Sequence, residues 1–471
     1  GSEMCIRDSK NQLYVAFGLE SEETSVYSKN RNSSGGNMKL VKAIGGLLAM
    51  VLTISAAACN GGTRNEEKSE LPLTSAYGIG DQDFLYGMCY LLEERDYDGD
   101  YDMAAEVEVM KNLGVKTVRQ WMHFTNLMTD KETLKEDECE EMHELLRLCS
   151  EAGMVNIGMN HHNFNGGTSS TGKPKRVILP GSDYVKWLDD YYTSWHTLAS
   201  EFPEVKYWEI DNEVNNPDFM HGIYGERDYT VQEMADIAAD MFYYASRAIH
   251  DANPSATTIM GSMTEPQGLG KGNLLEFYQT LYDNIASGEF GYFYYEEDKL
   301  NASTDADDYF EIACWHPYYW DEFDAEDFVA KNNLIYDILL KNEGKHKKVY
   351  LTEIGFNDLG RGEVRCAREL EEMFRAVEEK MPYVETVNYF KMFDDGRKDA
   401  WGGNGDYIRY GLFYDPDPDR IYVKLDETTH RTPESGGETA PNGAAKNKAY
   451  KFQELAGGSG DIELLAKGGR S

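Results

Sequence analysis

Eight short apolar runs recur along the chain, and stretches with helical spacing lie between them. The runs are FLYGMCY (84–90), VKTVRQWM (115–122), MVNIGMNH (154–161), VKYWEIDNE (205–213), TTIMGSM (257–263), YFEIACWHPY (309–318), KKVYLTEIGF (348–356) and VETVNYFKMFD (384–394). Residues 101–114 carry apolar side chains at helical intervals and stop at Gly114; 231–254, 366–381 and a last segment at 447–457 have the same character. Strands that alternate with helices pair in parallel through right-handed crossovers. Eight such units predict an α/β chain closed into a (β/α)8 barrel. Composition does not break between 81 and 460, so this span is read as a single domain, followed by a flexible tail at 461–471.

In a barrel the side chains that do chemistry sit at the C-terminal strand ends. Those ends carry Arg119 with Trp121, His161 with His162, Asn212 with Glu213, His316 with Tyr318, Glu353, and Asp394 with Asp395. Six of the eight strands therefore finish in polar or ionisable groups after an apolar start, which a purely structural barrel does not need. The stretch YWEIDNEVNN (207–216) is the sharpest case, because an amide and two carboxylates follow Tyr207, Trp208 and Ile210. Strand alternation puts Asp211 on the same face as Glu213, and two inward carboxylates would raise the pKa of one of them.

Cleaving a glycosidic bond takes one protonated carboxyl for the leaving oxygen and one carboxylate for the oxocarbenium-like carbon. WEIDNE at the end of strand 4 and LTEIGF at the end of strand 7 resemble the matching strands of the clan A glycoside hydrolases, the retaining 4/7 barrels, with families 39, 51 and 5 nearest in motif. The resemblance covers about 81–457. It implies that Glu213 is the acid/base, Glu353 the nucleophile and Asn212 the donor to the sugar 2-hydroxyl. It also implies that Tyr318 of HPY steadies the nucleophile while His316 lines the same wall. The charge of Arg119 can keep Glu353 ionised, and a retaining pair places the carboxyl carbons roughly 5–5.5 Å apart. The chain departs from the clan at strand 8, where YFKMFDD (389–395) has no tryptophan. Trp121, Trp320 and Trp401 are candidate sugar platforms, with core packing as the equal alternative for each.

His161 and His162 are adjacent. Neighbours on a strand face opposite sides, and no third ligand stands at metal-site spacing, so no metal and no other cofactor is expected; His161 is assigned a sugar-hydroxyl contact, with loop packing as the alternative. Seven cysteines without a CxxC pair indicate neither a disulfide framework nor a zinc site. A formal charge of −37 excludes nucleic acid and anionic membrane as partners. The opening 1–37 resembles translated sequencing adapter. Residues 38–58 then combine basic Lys39 and Lys42, an apolar run and SAAA before Cys59. That is a secretory signal of bacterial lipobox type; Cys59 would carry the lipid, or the signal would simply be cleaved, and 59–80 would be the tether. The expectation is a monomeric, cell-surface retaining glycosidase of β-linked xylan-, mannan- or glucan-type polymers. A non-catalytic sugar-binding lipoprotein is the alternative.

Overall fold

The computed structural model describes residues 84–92, 102–164, 169–224, 229–264, 274–291, 303–395, 408–417, 423–431, 433 and 437–466. The segments read as leader, signal and tether, with Cys59, and Trp401 lie outside the described residues.

Eight parallel strands form one sheet: β1 (Leu85–Tyr90), β2 (Thr117–Trp121), β3 (Val155–Asn160), β4 (Tyr207–Ile210), β5 (Thr257–Ile259), β6 (Ala313–Cys314), β7 (Val349–Ile354) and β8 (Val384–Tyr389). Their order is β5-β4-β3-β2-β1-β8-β7-β6. The ends meet through the parallel bridges Ile259–Ile312 and Thr264–His316, with Met260 N donating to Ile312 O at 2.9 Å and His316 N to Met263 O at 2.7 Å. The sheet is thus a nearly closed barrel. Each strand is followed by a helix: α1 (Met103–Leu113), α2 (Glu136–Glu151), α3 (Asp183–Glu201), α4 (Val231–Ala252), α5 (Leu274–Ser287), α6 (Ala325–Glu343), α7 (Glu363–Lys380) and α8 (Asn447–Leu455).

Local chemistry sets the helix ends. Asp102 caps α1 by accepting from Ala105 N at 3.0 Å, and Gly114 ends it at φ 89°, a left-handed turn that glycine makes without strain. Thr230 and Glu233 form a capping box on α4. β5 and β6 are shorter than their apolar runs, because the remaining residues leave the ladder as extended chain held by single bridges. No sequence signal marks the small hairpin between β2 and α2, which pairs Met128–Asp130 with Thr133–Leu134.

Inside the barrel the first layer is small and hydrogen-bonded. A Cβ on Gly87 would lie 2.2 Å from Thr117 Oγ1, so only glycine fits beneath the pair formed by Thr117 Oγ1 and Thr386 Oγ1 at 2.9 Å. Two residues further along β2, buried Arg119 begins the charged layer of the mouth. Outside the barrel, α3 packs on β4 through Trp195 and Trp208, whose rings meet edge-on at 5.8 Å. After β8 the chain returns through a buried ion cluster in which Lys446 and Lys448 hold Asp358 at 2.6 and 2.8 Å. Lys446 also pairs with Asp394.

Candidate active site

Arg119 is the hub of the mouth and is fully buried. Its Nε and Nη2 donate to the two oxygens of Glu209 at 2.7 and 2.9 Å, Nη1 donates to Glu353 Oε2 at 3.0 Å, and Nη2 also donates to Asn212 Oδ1 at 2.9 Å. Burial alone would lower its pKa, but Glu209 and Glu353 hold it well above the ordinary value. The second oxygen of Glu353 accepts from Tyr318 Oη at 2.6 Å. A carboxylate bonded to a guanidinium on one oxygen and a phenol on the other is oriented and mostly enclosed, as a nucleophile needs to be.

Glu213 approaches from the other side by a break in the backbone. β4 ends at Ile210, and Asp211 and Glu213 adopt φ 76° and 45°, a region that non-glycine residues rarely enter and that gathers at functional sites. The Glu213 N–H donates to Ser262 Oγ at 3.1 Å. Its Oε1 lies 3.2 Å from His316 Nδ1, and Asn216 Nδ2 donates to Oε2 at 2.8 Å. Burial pushes this carboxyl up, but the hydrogen bond and charge of His316, with Asn216 and Thr264, pull harder, and its pKa is lowered. One oxygen of Glu213, one nitrogen of His316 and one oxygen of Glu353 all lie within 4.8 Å of each other. That proximity fits the short gap of about 5–5.5 Å between carboxyls that lets one act as nucleophile.

The lowered Glu213 carries a pH expectation. Acid assistance requires the protonated form, so kcat/KM of the free enzyme should fall with rising pH through an alkaline limb set by Glu213. Because His316 holds that group down, His316→Asn is expected to move the limb to higher pH. A pH–rate profile unchanged by this substitution would disconnect His316 from the acid.

Asp211 departs from expectation. The left-handed turn breaks the alternation, and its carboxylate pairs with buried Lys173 at 2.9 Å while accepting from Asn212 N at 2.8 Å. It therefore does not serve as the like charge that raises Glu213. Asp394 is likewise taken up by Lys446 and by the N–H of Gly411 at 2.8 Å. Phe390 follows β8, buried against Cys89 and Leu91, with Trp121 and Tyr410 packed on the same cluster. Trp320 is 55% exposed and stacks on Tyr318 at 5.6 Å, so its free face borders the mouth. His161 does not sit with a lone neighbour. His123, from the loop after β2, joins His161 and His162, one nitrogen from each ring lying within 4.8 Å of the others, so the premise that no third ligand exists does not hold. Alternation failed here because β3 ends at Asn160 and both histidines lie in the loop beyond it.

Sequence reasoning passed over Glu209, His123, Asn216 and Ser262. Glu209 left a signal: a carboxylate with apolar neighbours in mid-strand is costly unless a cation meets it, and Arg119 is the cation at the end of β2.

No family model and no curated protein matches the chain in sequence. Solved structures do resemble it in shape. Virulence factor SghA from Agrobacterium tumefaciens superposes with a TM-score of 0.52 at 11% identity, covering 81% of this chain and 98% of that one. A family 1 β-glucosidase from Thermotoga maritima gives 0.50 at 12%, covering 82% and 100%. The GH5_18 protein from Bifidobacterium longum, solved with Manβ1-4GlcNAc, gives 0.50 at 12%, covering 80% and 78%. Against a family 39 glycoside hydrolase from Bacteroides cellulosilyticus the chain spans 64% of that protein's length, with a TM-score of 0.49 and 14% identity. In fold, the chain resembles the glycoside hydrolases of clan A.

Proposed function

We propose that the protein is a retaining glycoside hydrolase that cleaves β-linked glycans by double displacement. The observation that carries this reading is the facing pair Glu213 and Glu353, their nearest oxygens within 4.8 Å at the mouth of a parallel barrel. Glu353 attacks the anomeric carbon while Glu213 gives its proton to the departing oxygen. Water, deprotonated by Glu213, then releases the sugar from Glu353. Asn212, fixed by Arg119, is placed to meet the 2-hydroxyl, and His316 lines the wall between the two carboxylates. Trp121 and Trp320 are the platforms for neighbouring sugar rings. β-Linked substrates agree with the names of two proteins of like fold, a β-glucosidase and an enzyme solved with Manβ1-4GlcNAc. Xylan-, mannan- or glucan-type chains, a lipid anchor at Cys59, a cell-surface location and a monomeric state complete the proposal.

A mechanism-based test uses a panel of activated 2-fluoro aryl β-glycosides. The matching sugar should inactivate the enzyme with one label per chain, and peptide mapping should place it on Glu353. Labelling elsewhere, or activity with no trapped intermediate on any competent sugar, would contradict the assignment.

Tyr318→Phe offers a subtler test. The phenol hydrogen bond matters most when Glu353 leaves the sugar and regains its charge, and a bond to a charged group is worth about 1.5–3 kcal/mol. We expect kcat on activated aryl glycosides to drop about 10- to 100-fold with KM falling alongside it, because the glycosyl-enzyme accumulates. A raised KM with unchanged kcat would mean that Tyr318 only binds substrate.

A further inference from the structure

Beside the two glutamates, the mouth holds a second constellation that takes no part in the double displacement. His123 comes from the loop after β2 and His161 and His162 from the loop after β3. Ring centroids are 4.1 Å apart for His123 and His161, 4.0 Å for His123 and His162, and 4.6 Å for His161 and His162. Trp121 and Phe219 wall the group at 6.1 and 5.2 Å from His161.

Two features distinguish this group from ordinary packing. Nδ1 of His161, in a residue only 7% exposed, is enclosed without a hydrogen-bond partner. An imidazole nitrogen buried without a partner carries a desolvation cost that a ligand would remove. His162 Nδ1 is hydrogen-bonded to Thr125 Oγ1, which leaves Nε2 as the nitrogen it can offer a ligand, as in metal-binding histidines whose other nitrogen is held by an outer contact.

We propose that His123, His161 and His162 bind one divalent ion of the zinc–copper class. The donor set is all imidazole nitrogen, which suits zinc, copper, nickel or cobalt and not the oxygen-seeking calcium and magnesium. Nitrogens on a tetrahedral zinc at about 2.0–2.1 Å stand roughly 3.3 Å from one another. The nitrogens lie within 4.8 Å of one another, so an ion would have to draw them closer. Three protein ligands leave a fourth position for water or a sugar hydroxyl, so the ion would sit at the rim as a binding element and take no part in the displacement at Glu353. Nothing in this proposal depends on the glycosidase reading.

The test is metal binding, read without activity. The tag-free full chain, stripped with chelator and desalted, is titrated with zinc, copper, calcium and magnesium chlorides by calorimetry, and bound metal is counted after gel filtration. One zinc or copper per chain is expected, with no uptake of calcium or magnesium, and cobalt should develop the visible bands of a tetrahedral site. His161→Ala and His162→Ala should each abolish stoichiometric uptake, with metal-free melting curves confirming that the variants are folded. Thr125→Val, which leaves all three ligands in place, should keep one ion but weaken its Kd about 10- to 100-fold. Should the histidine variants fail to fold, the wild-type titrations and Thr125→Val still decide. Absence of stoichiometric zinc and copper binding by the wild type would overturn the proposal. So would full uptake by folded histidine variants, which would move the ion to Glu213, His316 and Glu353, or an unchanged Kd in Thr125→Val.

Discussion

Glu353→Ala is expected to lower kcat/KM on every glycoside substrate by on the order of 10⁵-fold or more, the scale seen when a covalent nucleophile is removed. Without it no glycosyl-enzyme forms, and external azide can attack only from the vacated side to give the inverted glycosyl azide. Glu213→Ala should behave differently. Its loss is that of a general acid, about 10²–10⁴-fold, and concentrated on substrates whose leaving group needs a proton. Aryl glycosides with acidic phenols should still load Glu353, and azide should then release the β-glycosyl azide with retention. The asymmetry follows from what each carboxylate touches. Glu353 is held by Arg119 and Tyr318, whereas Glu213 faces His316 and Asn216 beside a serine-anchored turn. Identical leaving-group behaviour of the two variants would show the roles to be misassigned.

Arg119→Met should destabilise the fold more than any other single change in the mouth. Glu209 and Arg119 have side chains with no exposed surface, and Glu353 is only slightly open. Deleting the cation leaves two buried carboxylates without the partner they share, a loss of about 3–5 kcal/mol for a broken buried pair. Denaturant unfolding at neutral pH measures it. Restoring apolar balance with Glu209→Leu in the same chain should recover part of that stability, because a buried pair replaced by packed hydrophobic groups is often neutral. Activity should not return, since Glu353 and Asn212 would still lack the guanidinium that positions them. Wild-type stability in Arg119→Met would mean that the mouth is more hydrated than its geometry indicates.

The eight-strand architecture was legible because each strand is an apolar run and each helix has its own period and stop, as at Gly114. The mouth was legible only in part. Glu213, Glu353, Arg119, His316 and Tyr318 are polar residues at the ends of apolar runs, a contrast that one-dimensional reading detects, and the fold brings them together. Contacts that depend on where the backbone stops being regular were out of reach. Asp211 was expected beside Glu213, but the turn at Ile210 sends it to Lys173. His161 and His162 were expected on opposite faces, yet both lie past the end of β3, where alternation has no force. His123 lies in a loop whose path follows from tertiary packing. Glu209 was hidden for the opposite reason: it sits in a regular strand, and only the pairing of β2 with β3 and β3 with β4 brings Arg119 within reach.

The central claim is that Glu213 and Glu353 work as acid/base and nucleophile at the short separation of a double displacement. Proton NMR of the first sugar released from a cleaved β-glycoside tests it most directly, read before mutarotation. The β-anomer should appear first and decay towards equilibrium with α. Initial release of the α-anomer would require a single displacement by water, which contradicts a nucleophilic Glu353.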